Sequence, residues 1–124
     1  DMKEKNCYPL IHFAPEYGWL NDPNGLVWHD GVFELYYQSN PNGLEWWDMT
    51  WSHARSRDLI HWELMPNALS PSREKGEVHC YSGCAVSRPD GLYLFYTSIG
   101  TGDTACGLHS PHQFRIRTVN HAVH

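Results

Sequence analysis

The sequence is short of several things, and each shortage excludes something. Its apolar runs are brief, far below the roughly 20 residues a membrane-crossing helix needs, so no such span is expected. Charged residues make up 19%, against about 25% in soluble domains generally. Acids outnumber bases and the formal net charge is −5. No basic stripe is present, which argues against nucleic acid as a partner. A neutral substrate suits this balance better than a polyanion. The four cysteines, Cys7, Cys80, Cys84 and Cys106, form no C-x-x-C pair, and no histidine completes a zinc-finger spacing. They read as free or partly buried thiols rather than a disulfide framework. Of nine histidines, His109, His112, His121 and His124 gather late without a ligand pattern, so no metal and no cofactor is expected. The opening DMKEKNCYPL has no apolar h-region, so no signal peptide is expected. A mature secreted form would look the same, which leaves the compartment open. No window holds a sustained 3.6-residue apolar period, so little helix is expected.

Aromatic residues, in contrast, are plentiful. They make up 14% of the 124 residues, with six Trp and seven Tyr. That much apolar surface is foreign to a disordered chain, and the length suffices to bury a core. The pattern is mostly β. Leu26–His29 and Val32–Gln38 flank Asp30-Gly31, a dipeptide suited to a tight hairpin because both central positions want positive φ. Met49–Ser56 reads as the next strand, Ser56–Asp58 as a turn and Ile60–Leu64 as the returning strand. Gly83–Ser87 and Leu92–Thr97 flank the turn Arg88-Pro89-Asp90-Gly91, Gly100–Asp103 reads as a loop, and Phe114–Val123 alternates as a last strand. Short strands with turns between them suggest a sandwich, a barrel or propeller blades.

The segment richest in chemistry is HFAPEYGWLNDPNGL, His12 to Leu26. Asp22-Pro23-Asn24-Gly25 reads as a tight turn, and Asp before Pro starts such turns without any functional reason. The neighbours add meaning. Trp19 can stack on a sugar ring, Asn21 can bond its hydroxyls, and Asp22 can attack an anomeric carbon.

The run WLNDPNG resembles the signature of glycoside hydrolase family 32, the β-fructofuranosidases: invertases, levanases, inulinases and their transferase relatives. LYYQSNPNGLEWWDMTWSHARSRDLIHW is similar to the family's stretch from a substrate-binding Gln to a Trp-Gly-His strand. Ala68-Leu69 with Pro71, and YSGCAV, match further segments in the correct order, so the resemblance runs from about Tyr8 to Ser98. The resemblance implies that Asp22 is the nucleophile of a retaining reaction through a covalent fructosyl-enzyme. It implies that Trp19, Asn21, Gln38, Trp46, Trp51, Tyr81 and Ser82 bind substrate. Taken by themselves, the residues are less specific. Gln38 could equally make a hairpin hydrogen bond, and Trp51 fits a core better than a pocket wall. Trp46 and Trp47 are adjacent, so in extended backbone only one can line the pocket. Asp58 and His61 look structural. The chain departs from the family pattern at Trp47 and Ser52, where Gly is usual, at Arg55, usually apolar, and at Cys84, usually Ser.

The resemblance also implies an all-β fold, a five-bladed β-propeller. At roughly 40–50 residues per blade, the chain corresponds to about two blades and the start of a third. Residues 1–124 are therefore expected to be the N-terminal part of a longer catalytic domain, with the missing blades supplied by the rest of the parent chain or by another chain. A retaining glycosidase needs two carboxyl groups about 5–5.5 Å apart. The family takes its acid/base Glu from a Glu-Cys motif and a stabilising Asp from Arg-Asp-Pro, and neither occurs here. The expected activity is hydrolysis of β-fructofuranosides in sucrose, levan or inulin, with the chain inactive alone. The alternatives are a fructan-binding module without catalysis and a structural remnant.

Overall fold

A computed structural model describes Pro9, residues 11–100 and the backbone of 112–119. Strands β1 (Trp19–His29), β2 (Val32–Asn40), β3 (Thr50–Ser56) and β4 (Glu63–Leu69) form one antiparallel sheet in sequence order. Strands β5 (Glu77–Arg88), β6 (Gly91–Gly100) and β7 (His112–Val119) form a second antiparallel sheet, also in order. The helical content among the described residues is a single 3-10 turn, Arg73–Lys75. A four-stranded meander beside a three-stranded one is the layout expected of two consecutive propeller blades.

Local chemistry set the hairpins. His29 pairs with Val32 across Asp30 and Gly31, whose φ angles of 49° and 84° are those of the turn expected there. Arg88 pairs with Gly91 across Pro89-Asp90. Other boundaries moved. The returning strand begins at Glu63, not Ile60, because Asp58 organises a longer loop. Its Oδ1 accepts the Ile60 and His61 amides, and Leu59 adopts φ 66°. Pro66 sits in β4, an edge strand where a missing N–H costs little. The strand expected at Gly83 begins at Glu77 and carries all of YSGCAV. Gly100 ends β6, while residues 101–103 lie outside the described residues, as do Cys7, Cys106, His109, His121 and His124. Cys84 is an exposed thiol, and the buried Cys80 thiol donates to the Glu77 carboxylate.

Asp22-Pro23-Asn24-Gly25 is not a tight turn. It lies inside β1, and neither Asn24 nor Gly25 takes a positive φ. The register against β2 slips between Leu20 and Pro23 and again between Pro23 and Gly25. The turn-forming residues thus make two bulges in an edge strand, which spares Pro23 a ladder bond and re-aims the side chains beside it.

Strand β2 is buried from Glu34 to Asn40. Its alternation divides the core. Leu35 and Tyr37 join Ala54, Phe13 and Trp62 on one face of the sheet. Tyr36, on the other face, joins Trp51 and Leu69 and packs on Cys80, Leu92, Leu94 and Tyr96 of the second sheet. The two sheets thus share one core, and β1 lies against β5.

Candidate active site

The site forms where the bulged end of β1 meets β5. Gly25 permits the approach: a Cβ there would lie 2.7 Å from the Ala85 Cβ and 2.8 Å from the Ala85 backbone N. Three residues away, the exposed Asp22 carboxylate accepts a hydrogen bond from the Ser82 hydroxyl, with Oγ and Oδ2 3.2 Å apart across 60 residues of sequence. On the same strand the Trp19 ring N–H donates to the Asn21 Oδ1 at 3.0 Å, fixing the amide beside the carboxylate.

Two of the candidate residues, Trp51 and Gln38, hold the β5 backbone in place. Trp51 is fully buried in the shared core, and its ring N–H donates to the Tyr81 carbonyl at 3.0 Å. Its ring joins the core of Tyr36, Leu69 and Tyr96. Gln38 is also buried, and its Nε2 donates to the Cys80 carbonyl. The Cys80 amide in turn donates to the Met49 carbonyl at 2.8 Å. Cys80 and Tyr81 are therefore tied to the first sheet and the residue leading into β3 by three hydrogen bonds, and Ser82 follows directly on this held backbone.

Beside Ser82 stands an aromatic cluster. The Tyr81 ring stacks on His79 at 5.5 Å, and Trp46 lies 5.1 Å from His79 and 5.9 Å from Tyr81. Trp47 meets His79 edge-on at 5.2 Å. The adjacent tryptophans do not diverge to opposite faces as expected, because residues 44–48 form a loop rather than a strand. His79 was not a sequence candidate; its role comes from contacts with residues some 30 positions away. Its Nδ1 accepts the Met49 amide, which requires that nitrogen to be unprotonated. Burial lowers its pKa, the Asp48 charge opposes the shift and the Arg73 charge adds to it. Asp48 itself pairs with Arg73.

The far end of the first sheet carries a different constellation. Buried Glu34 bonds His53 and Arg55, and the His53 ring stacks on Tyr36 at 4.5 Å. Burial alone would raise the Glu34 pKa; the hydrogen bonds and charges of His53 and Arg55 outweigh it and hold the carboxyl below its ordinary range. In the second sheet, buried Glu77 shows the same balance without a cation, accepting from Ser98, Tyr96 and the Ser72 amide. Asp58 is held well below the usual carboxylate range, foremost by the His61 ring. These pairs organise turns and core. A groove of about 540 Å³ lined by Glu34, Arg55, Asp58 and His61 opens at this end, remote from Asp22. Among the described residues no group of three or more His, Cys, Asp or Glu could hold a metal.

The pattern of the glycosyl hydrolases family 32 N-terminal domain matches residues 12–120. This chain belongs to glycosyl hydrolase family 32. It is 48% identical over 90 residues to sucrose-6-phosphate hydrolase of Zymomonas mobilis, covering 73% of this chain and 18% of that protein. It is 40% identical over 90 residues to raffinose invertase of Escherichia coli, covering 73% and 19%. Exo-inulinase of Aspergillus awamori superposes with a TM-score of 0.77 at 33% identity, covering 90% of this chain and 25% of the other. A β-fructofuranosidase of Schwanniomyces occidentalis complexed with fructosyl-erythritol gives 0.76 at 29% identity, covering 92% and 24%. The family 32 chain thus spans 18–19% of the length of these curated relatives and forms part of a five-bladed β-propeller domain.

Proposed function

We propose that the protein carrying this family 32 chain hydrolyses β-fructofuranosides with retention, and that Asp22 is the nucleophile. The observation that supports this most is the placement of Asp22. A bulge turns its carboxylate outward at the junction of the two sheets, 3.2 Å from the Ser82 hydroxyl, with the Asn21 amide and an aromatic wall alongside. An exposed carboxylate is open to an incoming sugar, and a hydroxyl donor fixes its direction. Attack on the anomeric carbon would break its bond to the leaving oxygen, which a second carboxyl protonates, and form a fructosyl ester at an Asp22 oxygen; water, deprotonated by that second carboxyl, would then cleave the ester. The Glu-Cys and Arg-Asp-Pro motifs that would supply the remaining carboxyls are not among these 124 residues, so the chain alone is proposed to be inactive. Trp19, Asn21, Trp46, Tyr81 and Ser82 are proposed to contact the sugar. Gln38 and Trp51 are proposed to position Tyr81 and Ser82 from behind. Fructose-containing substrates, sucrose foremost, are the expected ligands; relatives include a fructofuranosidase captured with sucrose.

The test is Asp22→Ala in the complete protein. Sucrose hydrolysis is expected to fall by at least about 10⁴-fold, as for loss of a covalent nucleophile. Hydrolysis near the unmodified rate would remove Asp22 from the role. Intact sugar binding with no hydrolysis by the unmodified complete protein would favour the binding-module reading instead.

A further inference from the structure

Trp47 stands where the family 32 pattern has Gly, so its ring is surface that this chain adds. The ring is 57% exposed and meets His79 edge-on. It shares the buried His79 ring as a contact with Trp46 and Tyr81, and Tyr81 precedes Ser82, the hydrogen-bond partner of Asp22. The loop carrying both tryptophans is pinned on either side. The Asn40 amide donates to the Glu45 carbonyl at 2.9 Å, Asp48 pairs with Arg73, and the Met49 amide donates to His79. A surface fixed before binding loses little conformational freedom when a ligand arrives.

We propose that Trp47, supported edge-on by His79, is a specificity residue that stacks on the neutral pyranose ring attached to the fructosyl unit. This rests on the reading of Asp22 given above. The chemistry fits a neutral ring. An aromatic face takes the apolar C–H face of a sugar, and Asp48 and Arg73 beside the cluster are paired with each other. Arg73 is held by Asp48, and His79 accepts a hydrogen bond at Nδ1 in its uncharged form. The pair joins the site through Tyr81, while Asp22 is bonded by Ser82, so the ring stacked on Trp47 is assigned to the leaving group and not to the unit that Asp22 attacks.

The competing role for Trp47 is packing against the rest of the protein, and ligand comparison separates the two. In the complete protein made catalytically silent by Asp22→Ala, calorimetry gives dissociation constants for sucrose, which has both rings, and for fructose, which has only one. Adding Trp47→Gly is expected to weaken sucrose roughly ten-fold and fructose less than two-fold. Trp47→Phe is expected to keep most of the sucrose affinity and Trp47→Leu to lose it, a comparison that holds if the glycine variant does not fold. An unchanged sucrose constant, an equal loss for both sugars, or no sucrose binding while Trp47 is present would overturn the proposal. Undiminished sucrose turnover by Asp22→Ala would instead defeat the reading of the reaction beneath it.

Discussion

Gly25→Ala is the sharpest probe of how the two sheets meet. Gly25 has an ordinary φ, so alanine meets no backbone strain there. The substitution even restricts the unfolded chain, which by itself would stabilise by about 0.4–1 kcal/mol. Against this stands the new methyl group, 2.7 Å from the Ala85 Cβ and 2.8 Å from the Ala85 N. The second atom is backbone and cannot rotate away, so β1 and β5 must part. Overpacking of this kind costs about 1–3 kcal/mol, and a backbone clash belongs at the upper end. The net expectation is a destabilisation of about 2 kcal/mol. The same shift would move Asp22 away from Ser82, and displacements near 1 Å can cost about 10²-fold in turnover. Urea unfolding of the complete protein would read the first effect as a lower midpoint at constant slope. Ala85→Gly in the Gly25→Ala background removes one of the two contacts and should restore part of the loss, a coupling that a double-mutant cycle would register. Gly25→Ala with wild-type stability and activity would refute the close approach of β1 to β5 and the geometry of the site built on it.

The remaining predictions concern the groups that hold this geometry. Trp51→Phe removes the hydrogen bond to the Tyr81 carbonyl and part of the core volume. A loss of about 2 kcal/mol is expected in thermal unfolding, and unchanged stability would contradict the core assignment of Trp51. Glu34→Gln leaves Arg55 and His53 without their carboxylate, for which about 3 kcal/mol is expected, read as a lowered denaturation midpoint. Stability should also fall with acid. Glu34 and Glu77 have pKa values below the ordinary 4.5 when folded, so below about pH 4.5 the unfolded chain binds more protons and is favoured. His79 adds an earlier contribution of the same sign, since its folded pKa lies below 6.5 and its stabilising effect is lost as pH falls through that value toward the folded one. A melting temperature flat from pH 7 to pH 3 would contradict both assignments.

The hairpins were legible because their turns are written locally: Asp30-Gly31 and Arg88–Gly91 fold as their residues demand. The motif WLNDPNG was legible as a constellation and misleading as a conformation. The same Asp, Pro, Asn and Gly that make turns also make bulges, and only the pairing of β1 with β2 decides between them. The β3–β4 connection ran long because Asp58 gathers the Ile60 and His61 amides around its carboxylate, a side-chain effect that turn statistics on Ser56–Asp58 do not carry. Trp46 and Trp47 on one side, and His79 between them, were not legible because the contact spans some 30 residues and depends on a loop pinned by Arg73. Gln38 and Trp51 were found as candidates through the motif, but their hydrogen bonds to the Cys80 and Tyr81 carbonyls depend on the second sheet and could not be read from the sequence.

The central claim is that Asp22 carries the fructosyl group in mid-reaction. Rapid acid quench of the complete protein during sucrose turnover, followed by peptide mass analysis, tests it directly. One fructosyl mass is expected on the peptide containing Asp22, with release of fructose of retained configuration. A fructosyl mass on another carboxylate, or release of the inverted anomer with no labelled peptide, would contradict it.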